Sequence, residues 1–343
     1  MAHKYKYSLL FIVILFAQCR KDADLNNVDF DVRNSGEIER LICDSLHYFG
    51  NLIAGREAEN VSFTLFYIGG NGDAHGEVRI QSNAVEGLQA ELAPSVFEIG
   101  KGSLEFKITG VPANKGVARF TILIGGLSCE VEFDVYESLY PNNSAFCADE
   151  TEVVDVLNPI TGRIWMDRNL GASQVATEPT DVSSYGYLHQ WGRFSDGHQC
   201  RNSEVQSELS GTAQPQHSNF ITVSEMPFDW KSPQDDALWS GNSNNNPCPN
   251  GYRLPTPEEF LDEVRSWKYQ NGQGAFESVL KLPLSGHRHY ANGIVYGEGS
   301  NGYYWTSSTS GYKAIDISFN QHQVKQDSIF RADGSCIRCI KNQ

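Results

Sequence analysis

The sequence predicts an α+β fold in two parts, an all-β N-terminal part followed by a mixed C-terminal part. In the N-terminal part, apolar residues alternate with charged residues over 104–108 and 129–135. This period of two is typical of strands with one buried and one solvent-facing side. In the C-terminal part a helix start is recognisable at Thr256, and all 6 tryptophans lie beyond residue 160. The shift in composition predicts two folding units.

The N-terminal unit, residues 37–137, is predicted to be an antiparallel β-sandwich. Residues 61–68 are rich in β-branched and aromatic side chains and are followed by a glycine-rich turn and by residues 77–80, which predicts a hairpin. Cys129 falls on the buried side of its strand, and the unit's other cysteine is Cys43. We expect these two to form a disulfide, which would contribute about 4 kcal/mol on the chain-entropy model.

The C-terminal unit, residues 147–343, follows a Pro- and Asn-containing linker. Thr256 can cap a helix, Pro257 suits its first turn, and Glu259 completes a capping box. A second helix is predicted around Tyr185, Leu188 and Trp191. Short strands are predicted at 303–307, 314–319 and 335–340.

The first residues predict export. Two lysines precede an apolar run over 9–17, which is too short for a membrane span of about 20 residues and is typical of a secretory signal. Residues 15–19 resemble a bacterial lipobox, which implies a signal peptide over 1–18 and an acylated Cys19. An ordinary cleaved signal peptide is the alternative. Charged residues after Cys19 resemble the export tag of Bacteroidetes surface lipoproteins. We expect a flexible tether over 19–36 and a lipid-anchored, surface-exposed protein of the cell outer membrane.

Charge and cysteine content narrow the classes further. The formal net charge of -15 disfavours binding to nucleic acid and to anionic membranes, so membrane contact is expected through the anchor alone. The chain has 8 cysteines, which an exported protein keeps oxidised. Setting Cys19 aside leaves an odd number, so at least one thiol has no partner within the chain.

Five motifs in the C-terminal unit resemble a known family. They are GRIWMDRNLGA (162–172), YGYLHQWGR (185–193), NPCPNGYRLPT (246–256), YWTSS (304–308) and IRCIK (337–341). In this order they resemble the FISUMP domain, the Fibrobacter succinogenes major paralogous domain. That family is similar in fold to C-type lectins and to the formylglycine-generating enzyme, and its members are mostly predicted surface lipoproteins without an established activity. The resemblance implies a C-type-lectin-like or formylglycine-generating-enzyme-like fold, and it says little about function.

Residues 102–112 and 116–129 likewise resemble an immunoglobulin-like module that is common in Bacteroidetes surface proteins, where it acts as a spacer. The FISUMP resemblance also implies a disulfide between Cys248 and Cys339. Cys147, Cys200 and Cys336 then share one pair among them. We favour Cys200 with Cys336.

Metal and redox chemistry are not expected. Cys336 and Cys339 have the spacing of a redox or zinc motif, but no second such motif completes a zinc site, and two structural disulfides explain them better. His287 and His289 could share a face and hold a divalent metal, although a solvated turn explains them better. The acidic and Trp-containing triplets of calcium-dependent lectins are absent from the sequence. We predict no cofactor and no metal, and we do not expect an enzyme.

The aromatic residues predict binding instead. Trp165, Trp191 and Trp305 belong to the FISUMP motifs, so they are expected in the core. Trp230 and Trp239 lie in a long polar segment over 195–250, and with Arg193 and Tyr303 they are the predicted ligand-binding residues.

The sequence therefore predicts a surface lipoprotein that presents a lectin-like module to a glycan or a cell-surface protein, in adhesion or nutrient capture. One alternative is a formylglycine-generating-type oxidase that uses Cys336 and Cys339. Another is a structural envelope or pilus-associated component.

Overall fold

The computed structural model of the chain describes residues 36–240, 243 and 245–342. The predicted signal peptide, the lipid anchor Cys19 and all but the last residue of the tether lie outside the described residues. Strands make up 39% of the chain and helices 6%, so the fold is mostly β with a small helical component, consistent with the predicted class. Among the described helices, none combines the length and apolar character needed to cross a bilayer.

The N-terminal part of the fold is built from strands. They are β1 (Arg40–Phe49), β2 (Leu52–Ile53), β3 (Val61–Gly70), β4 (Ala74–His75), β5 (Val78–Gln81), β6 (Leu88–Leu92), β7 (Ser95–Val96), β8 (Gly100–Gly110), β9 (Gly116–Ile124) and β10 (Leu127–Tyr136). One sheet has the order β1-β3-β8-β6-β5 and a second has the order β2-β10-β9, while β4 pairs with β7.

The two larger sheets face each other across one hydrophobic core. The ring of Phe63 on β3 lies 5.0 Å from that of Phe133 on β10 and 4.8 Å from that of Phe106 on β8. All three side chains are buried. Burial of one such side chain stabilises a fold by about 1.5–3 kcal/mol, so this aromatic group holds the two sheets together.

The predicted alternation in this part is confirmed. Leu104, Phe106 and Ile108 are buried on β8 while the charged residues between them are exposed, and β10 repeats the pattern. The predicted hairpin between residues 61–68 and 77–80 is wrong. β3 pairs with β1 and β8, whereas β5 pairs with β6 at the far edge of the sheet. Because β3 has partners on both sides, no edge remains for β5.

The C-terminal part is a loop-rich arrangement of short strands and two helices. The elements are β11 (Asp155–Leu157), β12 (Ile164–Met166), β13 (His189–Gln190), β14 (Val205–Gln206), β15 (Phe220–Ile221), β16 (Tyr252–Arg253), α1 (Pro257–Arg265), α2 (Gly272–Glu277), β17 (Ser285–Arg288), β18 (Val295–Glu298), β19 (Asn301–Ser310), β20 (Lys313–Asn320), β21 (Val324–Phe330), β22 (Gly334–Ser335) and β23 (Ile340–Lys341). The main sheet has the order β13-β22-β17-β19-β20-β21, with β18 paired to β17. A smaller sheet has the order β11-β12-β23-β16, and β14 pairs with β15.

Helix α1 begins as predicted. The Thr256 side chain accepts a hydrogen bond from the Glu259 backbone, and the Glu259 side chain accepts one from the Thr256 backbone. Phe260 and Val264 point into the core, and Trp267, just beyond the helix, is buried with them. Such a cap stabilises a helix by about 0.5–2 kcal/mol.

The second predicted helix, around Tyr185, Leu188 and Trp191, is wrong. A single 3-10 turn covers Val182–Ser184, and the chain then runs irregularly into β13. Gly186 and Gly192 adopt positive φ values of 71° and 81°, which a right-handed helix does not accept. The apolar side chains that mimic a helical face fill the core from an irregular loop.

Three disulfides join distant segments. Cys43 of β1 pairs with Cys129 of β10, which links the two facing sheets, and Cys248 pairs with Cys339, so both of these predicted pairs are confirmed. The predicted pair Cys200–Cys336 is wrong. Cys200 pairs with Cys147 at a Cα–Cα distance of 5.6 Å, and Cys336 is a buried free thiol. Cys336 is enclosed in the core with its sulfur 3.0 Å from Ser285 Oγ, whereas Cys200 is bonded to Cys147.

A charged contact joins the N-terminal and C-terminal parts. The ammonium group of Lys341 donates to the Gly50 carbonyl and to Asp155 Oδ2, both at 2.6 Å, and Asp155 also accepts from the Gly50 backbone N–H at 2.7 Å. The same ammonium lies 4.6 Å from the ring centroid of Tyr48. Lys341 and Asp155 are both buried, so the contact is shielded from solvent.

Candidate functional site

The two tryptophans predicted to bind a ligand are core residues, so this prediction is wrong. Trp230 is 0% exposed and its indole N–H donates to the Trp191 carbonyl at 2.7 Å. Trp239 is 3% exposed, and its N–H donates to the Asn245 carbonyl at 3.0 Å. The long polar segment folds back over the main sheet. The indole rings of Trp230 and Trp239 fill the space between this segment and the sheet. Neither ring has a face available for a sugar.

Arg193 is also buried, which corrects the prediction that it binds a ligand. Its guanidinium donates to Asp196 Oδ2 at 2.8 Å and to the carbonyls of His217 and Asn219 at 2.9 Å. It also lies 5.6 Å from the ring centroid of Trp230. Burial lowers the pKa of Arg193, and Asp196 opposes this shift. The residue ties the long segment to the core.

The tryptophans of the motifs at 162–172, 185–193 and 304–308 lie where the sequence predicts. Trp165, Trp191 and Trp305 are completely buried. The Trp191 indole donates to the Thr306 carbonyl at 3.0 Å, and the Trp305 indole donates to the His189 carbonyl at 2.7 Å. These motifs therefore specify packing and leave the surface to other residues.

The thiol pair required by the oxidase alternative is not present. Cys339 is bonded to Cys248, and Cys336 alone is free. The Cys336 sulfur lies 3.0 Å from Ser285 Oγ inside the core, and burial raises the pKa of this thiol. A buried thiol of raised pKa is a poor nucleophile and metal ligand.

Tyr303 is the one predicted ligand residue that reaches the surface, and it belongs to a continuous group of half-exposed rings. We call this group the aromatic band; its members are Tyr296, His287, Tyr303, His289, Tyr290 and Phe330. Ring centroids are 4.6 Å apart between His287 and Tyr303, 4.4 Å between His289 and Tyr290, and 4.9 Å between Tyr290 and Phe330. Tyr296 lies 5.9 Å from His289 and is 45% exposed. Contiguous aromatic surface of this kind is a common ligand platform.

The strands of the main sheet position the band. His287 lies on β17 and pairs in register with Tyr296 on β18, so the two rings stand side by side. The interpretation of His287 as part of a solvated turn is therefore wrong, because the backbone is extended there. The structure gives no support to a metal site at His287 and His289, because no cluster of three or more potential metal ligands occurs within the described ranges.

Carboxylates lie directly behind the band. Asp316 of β20 is opposite Trp305 of β19 and Asp327 of β21. Paired residues on antiparallel strands point to the same side, and Tyr303 is two residues from Trp305, so it shares that side. A third carboxylate, Asp333, accepts a hydrogen bond from the Tyr290 backbone N–H at 3.0 Å.

Asp316 is unusual among the residues that the structure describes. Its side chain is completely buried, and neither carboxylate oxygen has a hydrogen-bond partner. His287 Nδ1 and Ser335 Oγ are likewise buried without a partner. Buried polar atoms are nearly always paired, so unpaired atoms here indicate that water or a ligand completes them.

The electrostatics follow from this burial. Burial raises the pKa of Asp316 to about 8, with further contributions from the charges of Asp327 and Asp333. Burial also raises the pKa of Asp333 to about 7. Burial and the three carboxylates raise the pKa of Tyr303, which places its hydroxyl near all of them. Burial, and then His289, lowers the pKa of His287. Perturbed groups gathered at one surface are a feature of functional sites.

One cleft lies beside the band, and another lies at the junction of the two parts. A cleft of about 480 Å³ begins at Ala291, beside Tyr290, and is walled by residues 222–227 and by Lys231. A cleft of about 520 Å³ lies between the N-terminal and C-terminal parts, next to Tyr48 and Lys341. At the second cleft Lys341 is paired with Asp155, while the buried hydroxyl of Tyr48 has no hydrogen-bond partner.

Sequence reasoning identified Tyr303 at this site and missed the carboxylates. Asp316 stands between Ile315 and Ile317, and its position between two apolar residues was the only sequence signal. Asp327 and Asp333 carried no signal of their own.

Comparisons with known proteins do not extend this description. No family model matches the chain, and neither a curated protein nor a solved structure matches it.

Proposed function

We propose that this chain is a lipid-anchored cell-surface protein that binds a glycan through the aromatic band of its C-terminal part. The anchor is Cys19, and the location is the outer membrane. The N-terminal part serves as an immunoglobulin-like spacer, and the C-terminal part is a FISUMP domain of C-type-lectin-like fold. The activity is binding without catalysis.

The observation that carries the proposal is the aromatic band itself. Half-exposed rings stand next to the exposed carboxylate of Asp327, and a pyranose ring can stack on the rings while its hydroxyls bond this carboxylate. The band belongs to the main sheet, with His287, Tyr296, Tyr303 and Phe330 on four different strands. A platform of this kind is rigid before ligand arrives, which lowers the entropic cost of binding.

The N-terminal part and its contact with the C-terminal part support the same proposal. The two facing sheets linked by Cys43–Cys129 form a compact unit between the N-terminal end and the C-terminal part. The buried contact of Lys341 with Gly50 and Asp155 joins the C-terminal part to that unit. This arrangement would hold the aromatic band away from a membrane surface.

A glycan array with the purified full-length protein in detergent tests the proposal. We expect selective binding to a set of oligosaccharides, and at least a tenfold loss for Tyr296→Ala, since stacking on one ring contributes about 0.5–1.5 kcal/mol beyond buried area. Tyr269→Ala is the matched control, because Tyr269 is 39% exposed and lies outside the band. A blank array, or equal loss from both variants, would contradict the proposal.

A further inference from the structure

We infer that the ligand of the aromatic band is a positively charged glycan, an oligosaccharide with free amino groups, and that its binding releases protons from the carboxylates behind the band. This inference rests on the proposed function and specifies its ligand.

A buried carboxyl group without a hydrogen-bond partner lies behind the rings. Asp316 has two buried oxygens without a partner, and its cross-strand neighbour is a second acid, Asp327. Like charges directly opposite each other destabilise a sheet, and an unpaired buried carboxylate is costly. An arrangement that is unfavourable in the free protein becomes favourable when a cation neutralises it.

Titratable groups surround Asp316 on the neighbouring strands. Asp327 lies on β21, Asp333 follows that strand, and Tyr303 lies on β19. His287 on β17 stands beside Tyr303, with 4.6 Å between the ring centroids. Lys313, at the start of β20, is the cation nearest to Asp333, and its ammonium is placed 4.8 Å from the ring centroid of Phe330. Burial disfavours a positive charge on His287, so His287 does not neutralise the carboxylates at neutral pH.

A cation bound at the band would be attracted by both the rings and the carboxylates. Aromatic faces attract ammonium groups, and the carboxylates behind them add to the attraction. The pKa of Asp316 is about 8 and that of Asp333 about 7, so both carry protons for part of the time at neutral pH. A nearby positive charge lowers both pKa values, so protons must leave when the ligand binds.

An amino sugar suits this site better than a neutral or an acidic sugar does. A neutral sugar would stack on the rings but leave the charge of the carboxylates uncompensated. An acidic sugar would be repelled by the carboxylates and by the net charge of -15. A sugar with free amines satisfies both the rings and the carboxylates.

Isothermal titration calorimetry on the full-length protein in detergent tests this. The probes are glucosamine oligomers, the same oligomers N-acetylated, and the same oligomers N-trimethylated, whose charge is permanent. We expect the two charged oligomers to bind about tenfold more tightly than the acetylated one. Titrations of the trimethylated oligomer at pH 7.5, in two buffers of different ionisation enthalpy, should show net proton release.

Two variants locate the effect. Asp327→Asn should weaken the charged oligomers by about two- to fivefold, the range for an exposed charge pair, without affecting the acetylated one. Asp316→Asn should remove most of the proton release. Asp149→Asn, an exposed acid elsewhere in the C-terminal part, is the matched control and should change neither quantity. Unfolding curves confirm that each variant is folded.

The outcomes separate this inference from the proposed function. Equal binding of the charged and acetylated oligomers, or binding without proton release, overturns the inference and leaves glycan binding intact. An unchanged affinity in Asp327→Asn also overturns it. Binding of pentalysine with no binding of any oligosaccharide overturns both, since the partner would then be a basic protein.

Discussion

Asp316 of β20 and Asp327 of β21 face each other across one antiparallel strand pair, the first completely buried and the second exposed. The pair places two acids at one point of the sheet, and solvent reaches only one of them. The buried member therefore holds its proton to unusually high pH. This relationship has consequences for stability as well as for binding.

The stability of the protein should fall as pH rises from 5 to 8. Asp316 has a pKa of about 8 in the folded state and about 3.9 in the unfolded state. A raised folded-state pKa contributes stability that is fully present below the unfolded value and is lost as pH rises towards the folded value. The loss is about 1.4 kcal/mol per pH unit between the two values. Urea unfolding of the wild type and Asp316→Asn at pH 5 and pH 8 should show a steeper decline for the wild type. Parallel declines would contradict the assignment.

Trp230 should matter for stability and not for binding. Trp230→Phe removes the hydrogen bond to the Trp191 carbonyl and part of a fully buried ring, so we expect a loss of about 1–3 kcal/mol. Glycan affinity of the folded variant should be unchanged. Tyr296→Ala should give the reverse, with stability nearly intact and affinity reduced. Denaturant unfolding and the glycan array together distinguish the two roles.

The contact between the N-terminal and C-terminal parts should depend on the buried ion pair of Lys341 and Asp155. Lys341→Met leaves the Asp155 carboxylate buried without its partner, which costs about 3–5 kcal/mol. The double variant Lys341→Met with Asp155→Asn removes both charges and should recover part of that loss. Burial lowers the pKa of Lys341 while Asp155 opposes the shift, so the pair is also sensitive to strongly alkaline pH. Full additivity of the two single losses would show that the pair does not interact.

Cys336 should be protected from alkylation in the folded protein. Its sulfur is buried against Ser285, and its pKa is raised by burial. Iodoacetamide at pH 8 should leave the peptide that contains Cys336 unmodified until the protein is unfolded in denaturant. Non-reducing peptide mass spectrometry of the same samples should show Cys147 joined to Cys200. Rapid labelling of Cys336 in the native protein would place it in a different environment.

Sequence reasoning succeeded where one local rule determines the outcome. The alternation over 104–108 predicted the buried face of β8, because side chains of a strand alternate regardless of what they pack against. The capping residues at Thr256 and Glu259 predicted the start of α1, because they satisfy backbone donors within a single turn. Cys43 and Cys129 were the only cysteines available to the N-terminal sheets, so their pairing followed.

Sequence reasoning failed where distant segments decide the environment. Trp230 and Trp239 lie in a polar segment and appeared available, yet that segment folds over the main sheet and buries both rings. Asp316 shares one side of β20 with Ala314 and Ser318, a pattern that indicates a solvent-facing side, but Asp316 is completely buried in the folded chain. No local pattern distinguishes a loop that leaves a sheet face open from one that closes it.

The disulfide between Cys43 and Cys129 has a mechanical consequence. A pulling force that enters at residue 36 would load β1 along its length and peel it from β3, starting at Arg40. The peeling front reaches Cys43 after only a few residues, and there the force passes through a covalent bond into β10, in the opposite sheet. The remainder of β1, which ends beside the Gly50 contact with Lys341, would not extend. Under a pulling force applied at residue 36, the N-terminal part would therefore lengthen by a few residues and then stop.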